Sequence, residues 1–212
     1  MAINRAGILV LMAGLIFVLP PFQGRAAQNA GGPATNPPGA SAERDGQRDF
    51  DFEVGFWKIH LKRLLNPLTG STKWVEFDGT SVTRKVWDGR AFLEEFNTDG
   101  PTGRVQGLTL RTYSPQTRQW NLYWANSRDG IVGEPMVGEF RNGRGEFYNQ
   151  ELFNGRSVYV RYVWSDITAD SAHFEQAFST DGGKTWEVNW ITDQTRVSAD
   201  PDKGIRPQAL PR

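Results

Sequence analysis

The chain has 212 residues, with 24 Lys plus Arg balanced by 24 Asp plus Glu, and no Cys. A neutral balance argues against a globally basic nucleic-acid binder, because recognition of a phosphate backbone needs clustered positive charge. Without Cys there is no disulfide framework, thiolate nucleophile, Cys-ligated zinc or lipid attachment through cysteine, and the length suits one sizeable domain.

Residues 1–26 read as a cleaved secretory signal. Arg5 supplies the positive start, residues 6–22 are almost wholly apolar (AGILVLMAGLIFVLPPF), and Gly24 and Ala26 put small residues before a cleavage at Ala27. The apolar run breaks at its own Pro20 and Pro21, at the short limit for a membrane span. The expectation is a periplasmic or secreted protein with no stable membrane span after cleavage. Residues 27–47, rich in Gly, Ala and Pro, read as a flexible N-terminal segment, and residues 197–212 as an irregular tail.

The domain is expected over residues 48–196, which hold all 8 Trp, all 5 Tyr and 11 of the 13 Phe. Asp-Gly at Asp78, Asp88, Asp99, Asp129 and Asp181 and Asn-Gly at Asn142 and Asn154 punctuate it with tight-turn signals. Between them lie short runs rich in Val, Trp, Phe, Tyr and Thr. The predicted strands in chain order are 55–63, 72–77, 81–87, 91–96, 105–113, 119–125, 136–140, 145–151, 157–164, 172–178 and 185–191. Alternation puts Trp120, Leu122 and Trp124 on one face, and likewise Trp186, Val188 and Trp190. Helix is limited to one turn near residues 64–68.

The fold class that follows is all-β, an antiparallel up-and-down meander of about 8–11 strands closed into a barrel, since closure removes exposed edges. A barrel of that size encloses more space than side chains readily fill, so an internal ligand cavity is expected; the competing arrangement is a packed barrel or sandwich whose aromatics only fill space.

Residues 49–57, DFDFEVGFW, resemble the opening of small bacterial exported domains of unknown function that belong with the lipocalin-like, or calycin, barrels. The match rests on Gly55 and Trp57, spaced by one residue, with Phe50 and Phe52. The resemblance implies that Gly55 permits close passage of the incoming chain and that Trp57 plugs the barrel end. It also implies an interior able to hold an apolar ligand, with no agreed activity. A more distant similarity to nitrobindin-like haem barrels points to His173, on a late strand, but one His does not make a haem site and no cofactor is assigned. Residues 179–186, STDGGKTW, fit the Asp-box pattern through Ser179, Asp181, Gly183 and Trp186, and resemble the hairpin corners of sialidases. One copy in a chain this short implies a structural corner, with the Asp carboxylate holding turn amides and the Trp packed beneath.

Chemistry-bearing patterns are few. His60 and His173 are the only histidines, without metal-ligand spacing, and no nucleophile elbow or phosphate loop occurs. Glu94 and Glu95 are adjacent, so one must point inward. Arg111 lies on the face opposite Leu108 and Leu110, and burial of those leucines prefers Arg111 outward. In SVYVRYVW, burial prefers Val158, Val160, Tyr162 and Trp164 inside and Arg161 outside. The leading reading is a barrel that binds a small, mainly apolar or aromatic molecule, with Trp120, Trp124, Trp186 and Trp190 as its aromatic contacts and Glu94, Glu95 and Arg111 as its polar ones. The alternative is a cofactor-independent isomerase, cyclase or hydrolase that uses a carboxylate and His60 or His173 in the cavity.

Overall fold

The computed structural model describes residues 44–204. The expected leader, most of the segment 27–47 and the end of the tail lie outside these residues. Ten antiparallel strands follow one another as a meander: β1 (Gly55–Leu64), β2 (Trp74–Val86), β3 (Ala91–Gly100), β4 (Gly103–Ser114), β5 (Gln119–Asn126), β6 (Met136–Arg141), β7 (Arg144–Phe153), β8 (Arg156–Ser165), β9 (Ser171–Ser179) and β10 (Glu187–Ser198). Every neighbour in sequence is a neighbour in the sheet, and β10 pairs back onto β1 to close the barrel.

The strands number ten because the expected strands 72–77 and 81–87 are one. Asp78-Gly79 does not turn: Gly79 sits in mid-strand, paired with Ile59 on one side and Thr98 on the other, where an added Cβ would overlap the Asn97 carbonyl oxygen. A dipeptide that reads as a turn serves a close approach between strands. Asn142-Gly143 and Asn154-Gly155 do turn, each with both residues at positive φ, the requirement of a two-residue hairpin between right-twisted strands. Residues 65–66 form a bend and 67–70 a turn, with no helix at the place of the expected helical turn. Helical structure among the described residues is three short 3-10 pieces: Asp51–Glu53, Trp87–Gly89 and Pro201–Gly204. β10 runs on to Ser198, so the first residues of the expected tail belong to the closing strand.

In an up-and-down barrel the loops after β1, β3, β5, β7 and β9 lie at one end, here the mouth. The segment before β1 plugs the other end. Phe50 is fully buried there, with Trp120, Phe140 and Trp164 edge-on around it at 5.2, 4.9 and 5.4 Å. Trp57 is fully buried and donates from Nε1 to the Glu53 carbonyl at 2.8 Å, while the Arg196 guanidinium lies 4.0 Å from its ring centre. Arg196 also donates to the carbonyls of Val54 and Phe52, each at 2.6 Å, and so ties the plug to β10. Gly55 has φ 132°, and a Cβ there would overlap the Ser198 carbonyl.

Residues 44–47 are held against this end, in contrast to the flexible segment expected over 27–47. The Tyr113 hydroxyl donates to Asp45 Oδ1 at 2.7 Å, and Trp120 Nε1 to the Gly46 carbonyl at 3.0 Å. Burial, reinforced by the Asp45 hydrogen bond, pushes the Tyr113 hydroxyl up to about 12.

Inward side chains form two apolar clusters. One gathers Phe50, Phe92, Trp120, Phe147 and Trp164 toward the closed end; the other gathers Trp57, Ile59, Leu61, Phe77, Phe96 and Val105, with Trp124 and Trp190 against it. β8 follows burial, with Val158, Val160 and Trp164 buried and Arg161 on the outer face beside Trp186.

Candidate functional site

β4 turns Val105, Thr109, Arg111 and Tyr113 inward and leaves Leu108 and Leu110 45% and 40% exposed, the reverse of the face that burial of the leucines favours. The whole strand and its partners decide. Turning Leu108 and Leu110 in would turn Val105 and Tyr113 out, and would put a side chain other than Gly107 against the Trp124 indole, which lies where a Gly107 Cβ would be. On β3, Phe92, Glu94 and Phe96 face inward. Glu95 therefore faces outward, 4.0 Å from Arg84, and is not an interior contact.

Inside, Arg111 is 2% exposed and its Nη2 donates to Glu94 Oε2 at 2.6 Å. Glu53, fully buried on the plug, places Oε1 3.9 Å from the same nitrogen and accepts from Trp164 Nε1 at 2.8 Å. The guanidinium lies 5.0 Å from the Phe50 ring centre and 5.8 Å from that of Trp164. Burial raises the Glu53 carboxyl above its ordinary value; Arg111 opposes the rise, Glu94 adds to it, and hydrogen bonds from Trp164 and Gln194 oppose it. Two carboxylates thus share one guanidinium in a dry setting, and burial pushes Glu53 toward its protonated form. Arg111 Nε and Nη1 and Glu53 Oε2 have no hydrogen-bond partner among the described residues.

A separate cavity of about 310 Å³ opens at the mouth. Phe77, Val105, Phe178 and Trp190 are among its apolar lining, and Arg63 and Arg128 among its polar lining; Glu94 and Arg111 do not reach it. Trp124 stands behind Trp190, ring centres 6.4 Å apart, and both pack on Phe96 at 6.0 Å. Arg63 continues the inward register of Trp57, Ile59 and Leu61, and its guanidinium lies 5.3 Å from the Trp190 ring centre.

The four expected aromatic contacts do not converge. Trp190 lines the mouth cavity and Trp124 backs it, whereas Trp120 is fully buried in the closed-end cluster against Phe50 and Phe92. Trp186 lies outside the barrel, its ring 4.6 Å from the Arg161 guanidinium and 6.1 Å from the Tyr148 ring. The cause is a bulge in β10: Val188 pairs with Ala177 and Trp190 with Gln176, leaving Asn189 as the extra residue. One inserted residue reverses the alternation, so Trp186 and Val188 do not share the face of Trp190.

At the corner that Trp186 closes, Asp181 Oδ1 accepts from the amides of Lys184 and Thr185 at 3.0 and 2.9 Å, and Oδ2 from the Thr185 hydroxyl at 2.7 Å. Ser179 Oγ accepts from the Gly183 amide at 2.8 Å, and Trp186 Nε1 donates to the Gly183 carbonyl at 3.0 Å. The Thr185 amide and hydroxyl lead the groups that hold the Asp181 carboxyl far below the usual carboxylate range.

Both histidines lie on the outer face. His60 Nδ1 is 2.9 Å from Asp78, and His173 reaches Asp193 at 2.7 Å and Glu175 at 3.5 Å. Partial burial lowers the His173 pKa, but the hydrogen bonds to the two carboxylates outweigh it and the net shift is upward. The interior carboxylate–His pair of the enzyme alternative does not form, and the residues do not fit a haem ligated from His173.

Arg63 had a sequence signal, since an Arg at the next position of the Trp57, Ile59, Leu61 alternation must face the interior. Arg128 had none, because its loop approaches the cavity only through closure of the barrel.

A closed barrel of antiparallel strands in meander order, plugged at one end and hollow at the other, is a calycin-type fold. Among solved structures the chain is similar to the S-type phycobiliprotein lyase CPES from Guillardia theta, with a TM-score of 0.50 and 12% identity over 72% of this chain and 92% of that one. It also matches EF1p2_mFAP2b, solved bound to DFHBI, with a TM-score of 0.40 and 6% identity over 71% of this chain and 98% of that one. No protein-family model matches the chain. No curated protein matches it either.

Proposed function

We propose that this barrel binds a small molecule with an apolar or aromatic body in the mouth cavity. The observation that carries the reading is the cavity of about 310 Å³, with Phe77, Phe178 and Trp190 in its lining, at the open end of a barrel whose other end is sealed. That volume is at the lower end of the roughly 300–1,000 Å³ of small-molecule sites, so the ligand is compact. The architecture shared with a phycobiliprotein lyase is consistent with a small-molecule role. The buried Arg111–Glu94–Glu53 cluster serves as a structural bridge in this reading. Export to the periplasm or the cell exterior is proposed from the Arg5-to-Ala26 pattern.

Native mass spectrometry of gently purified protein tests the reading. The expected result is a bound small species which, when added back, quenches Trp fluorescence, with Trp190→Ala weakening its binding about ten-fold. Absence of any bound species, together with no quenching by a panel of compact aromatic compounds, would remove the binding function.

A further inference from the structure

The mouth cavity carries two guanidinium groups that the barrel does not neutralise. Arg63 is half-buried on β1 and lines the cavity, and Arg128 lines it from the loop after β5. Neither side chain has a carboxylate partner among the described residues; the interaction of Arg63 is with the face of Trp190. The third arginine of the lining, Arg104, differs: its Nε and Nη2 are held by Asp99 at 2.9 and 3.3 Å. Elsewhere in the barrel the fully buried Arg111 is paired with Glu94 and the half-buried Arg196 with three backbone carbonyls, while Arg161, on the outer face and away from any cavity wall, rests on the Trp186 ring.

Turning an Arg inward costs desolvation, and a second cation nearby adds repulsion. Burial and the proximity of Arg128 both act to lower the Arg63 pKa. A ring face recovers part of this cost, whereas an oxyanion between the two guanidinium groups recovers it through charge-assisted, paired hydrogen bonds. The same cavity is lined by Phe77, Phe178 and Trp190, so the anion would be one end of a larger molecule.

We propose that Arg63 and Arg128 form an anion subsite at the rim of the cavity, and that the ligand is a compact amphipathic oxyanion whose charged group sits at the rim and whose apolar or aromatic body rests against Trp190, Phe77 and Phe178. This rests on the cavity reading above and narrows its ligand class.

The test uses two fluorescent probes with the same aromatic body: 1-anilinonaphthalene-8-sulfonate and its uncharged counterpart, N-phenyl-1-naphthylamine. Each is titrated into the full chain at low and high salt, with weaker binding to Trp190→Ala reporting that a probe reaches Trp190 in the cavity. The sulfonate is expected to bind about ten-fold more tightly than the neutral probe and to lose most of that advantage at high salt. Arg63→Gln and Arg128→Gln each remove much of the advantage while leaving the neutral probe within about two-fold, and Arg63→Lys retains part of it. Circular dichroism melts confirm that these rim variants stay folded. Equal affinity for the two probes, or a sulfonate preference unchanged in Arg63→Gln/Arg128→Gln, overturns the anion subsite and leaves the cavity reading in place. If neither probe reaches Trp190, the cavity reading falls and the subsite with it.

Discussion

Arg111 and Glu94 are diagonal neighbours on adjacent strands, Arg111 pairing across the sheet with Phe92 and Glu94 with Thr109, and their charged groups meet at 2.6 Å inside the barrel. The Arg111 guanidinium lies against the Phe50 and Trp164 rings, and neither residue of the pair lines the mouth cavity. A buried ion pair of this kind adds little net stability over an apolar replacement, but removing one partner strands the other.

Arg111→Met is therefore expected to destabilise by about 3–5 kcal/mol, since it leaves Glu94 and Glu53 without their cation. The double variant Arg111→Met/Glu94→Leu should recover a substantial part of the loss. Urea denaturation of the single and double variants measures both, and equal losses would contradict the pairing.

Glu53 supplies a pH signature. Its folded pKa is raised above its ordinary value of 4.5, chiefly by burial, so its contribution to stability is fully present below that value and is lost as pH rises through the folded pKa. Glu53→Gln mimics the protonated form. The melting temperature of Glu53→Gln relative to the parent should therefore climb from pH 4 to pH 8. A difference that is flat across this range would place the proton elsewhere.

Gly107 and Trp124 are coupled by space, because a Cβ at 107 would overlap the far ring of the indole. Gly107→Ala should cost about 1–3 kcal/mol and weaken ligand binding by displacing Trp124 from behind Trp190. In the double variant Gly107→Ala/Trp124→Ala the two losses should sum to less than their separate values. Thermal melts with a double-mutant cycle read the coupling directly.

The Asp181 corner lies outside the cavity and its carboxylate is committed to Lys184 and Thr185. Asp181→Ala is expected to lower the melting temperature without changing probe affinity at the mouth. A lost affinity with an unchanged melt would make the corner part of the recognition surface.

Export predicts a mature chain that begins at Ala27, set by the small residues Gly24 and Ala26. Intact mass of the exported form is the measurement, and a mature product that retains Met1 counts against it.

The pattern of the barrel was legible in the sequence because it rests on short-range physics. Alternation every second residue marks a strand, and Asn142-Gly143 and Asn154-Gly155 supply the positive φ that two-residue hairpins require. A row of such hairpins has few ways to hide its edges besides closure. Alternation also established which residues share a face on β3, β4 and β8, but on β4 it could not say which face is inside. Leu108 and Leu110 argued one way, and the combined demands of Val105, Gly107 and Tyr113 against the neighbouring strands went the other.

What crosses the barrel was decided by tertiary structure. Gly79 reads as a turn residue until Asn97 is set against it, and Asn189 reads as an ordinary strand position until pairing with β9 makes it a bulge that sends Trp186 outside and Trp190 to the cavity. Arg63 and Arg128 are 65 positions apart and share a cavity because the barrel places the end of β1 and the loop after β5 at the same mouth. Periodicity is a property of one strand, whereas facing, bulging and convergence depend on the strands packed beside and across from it.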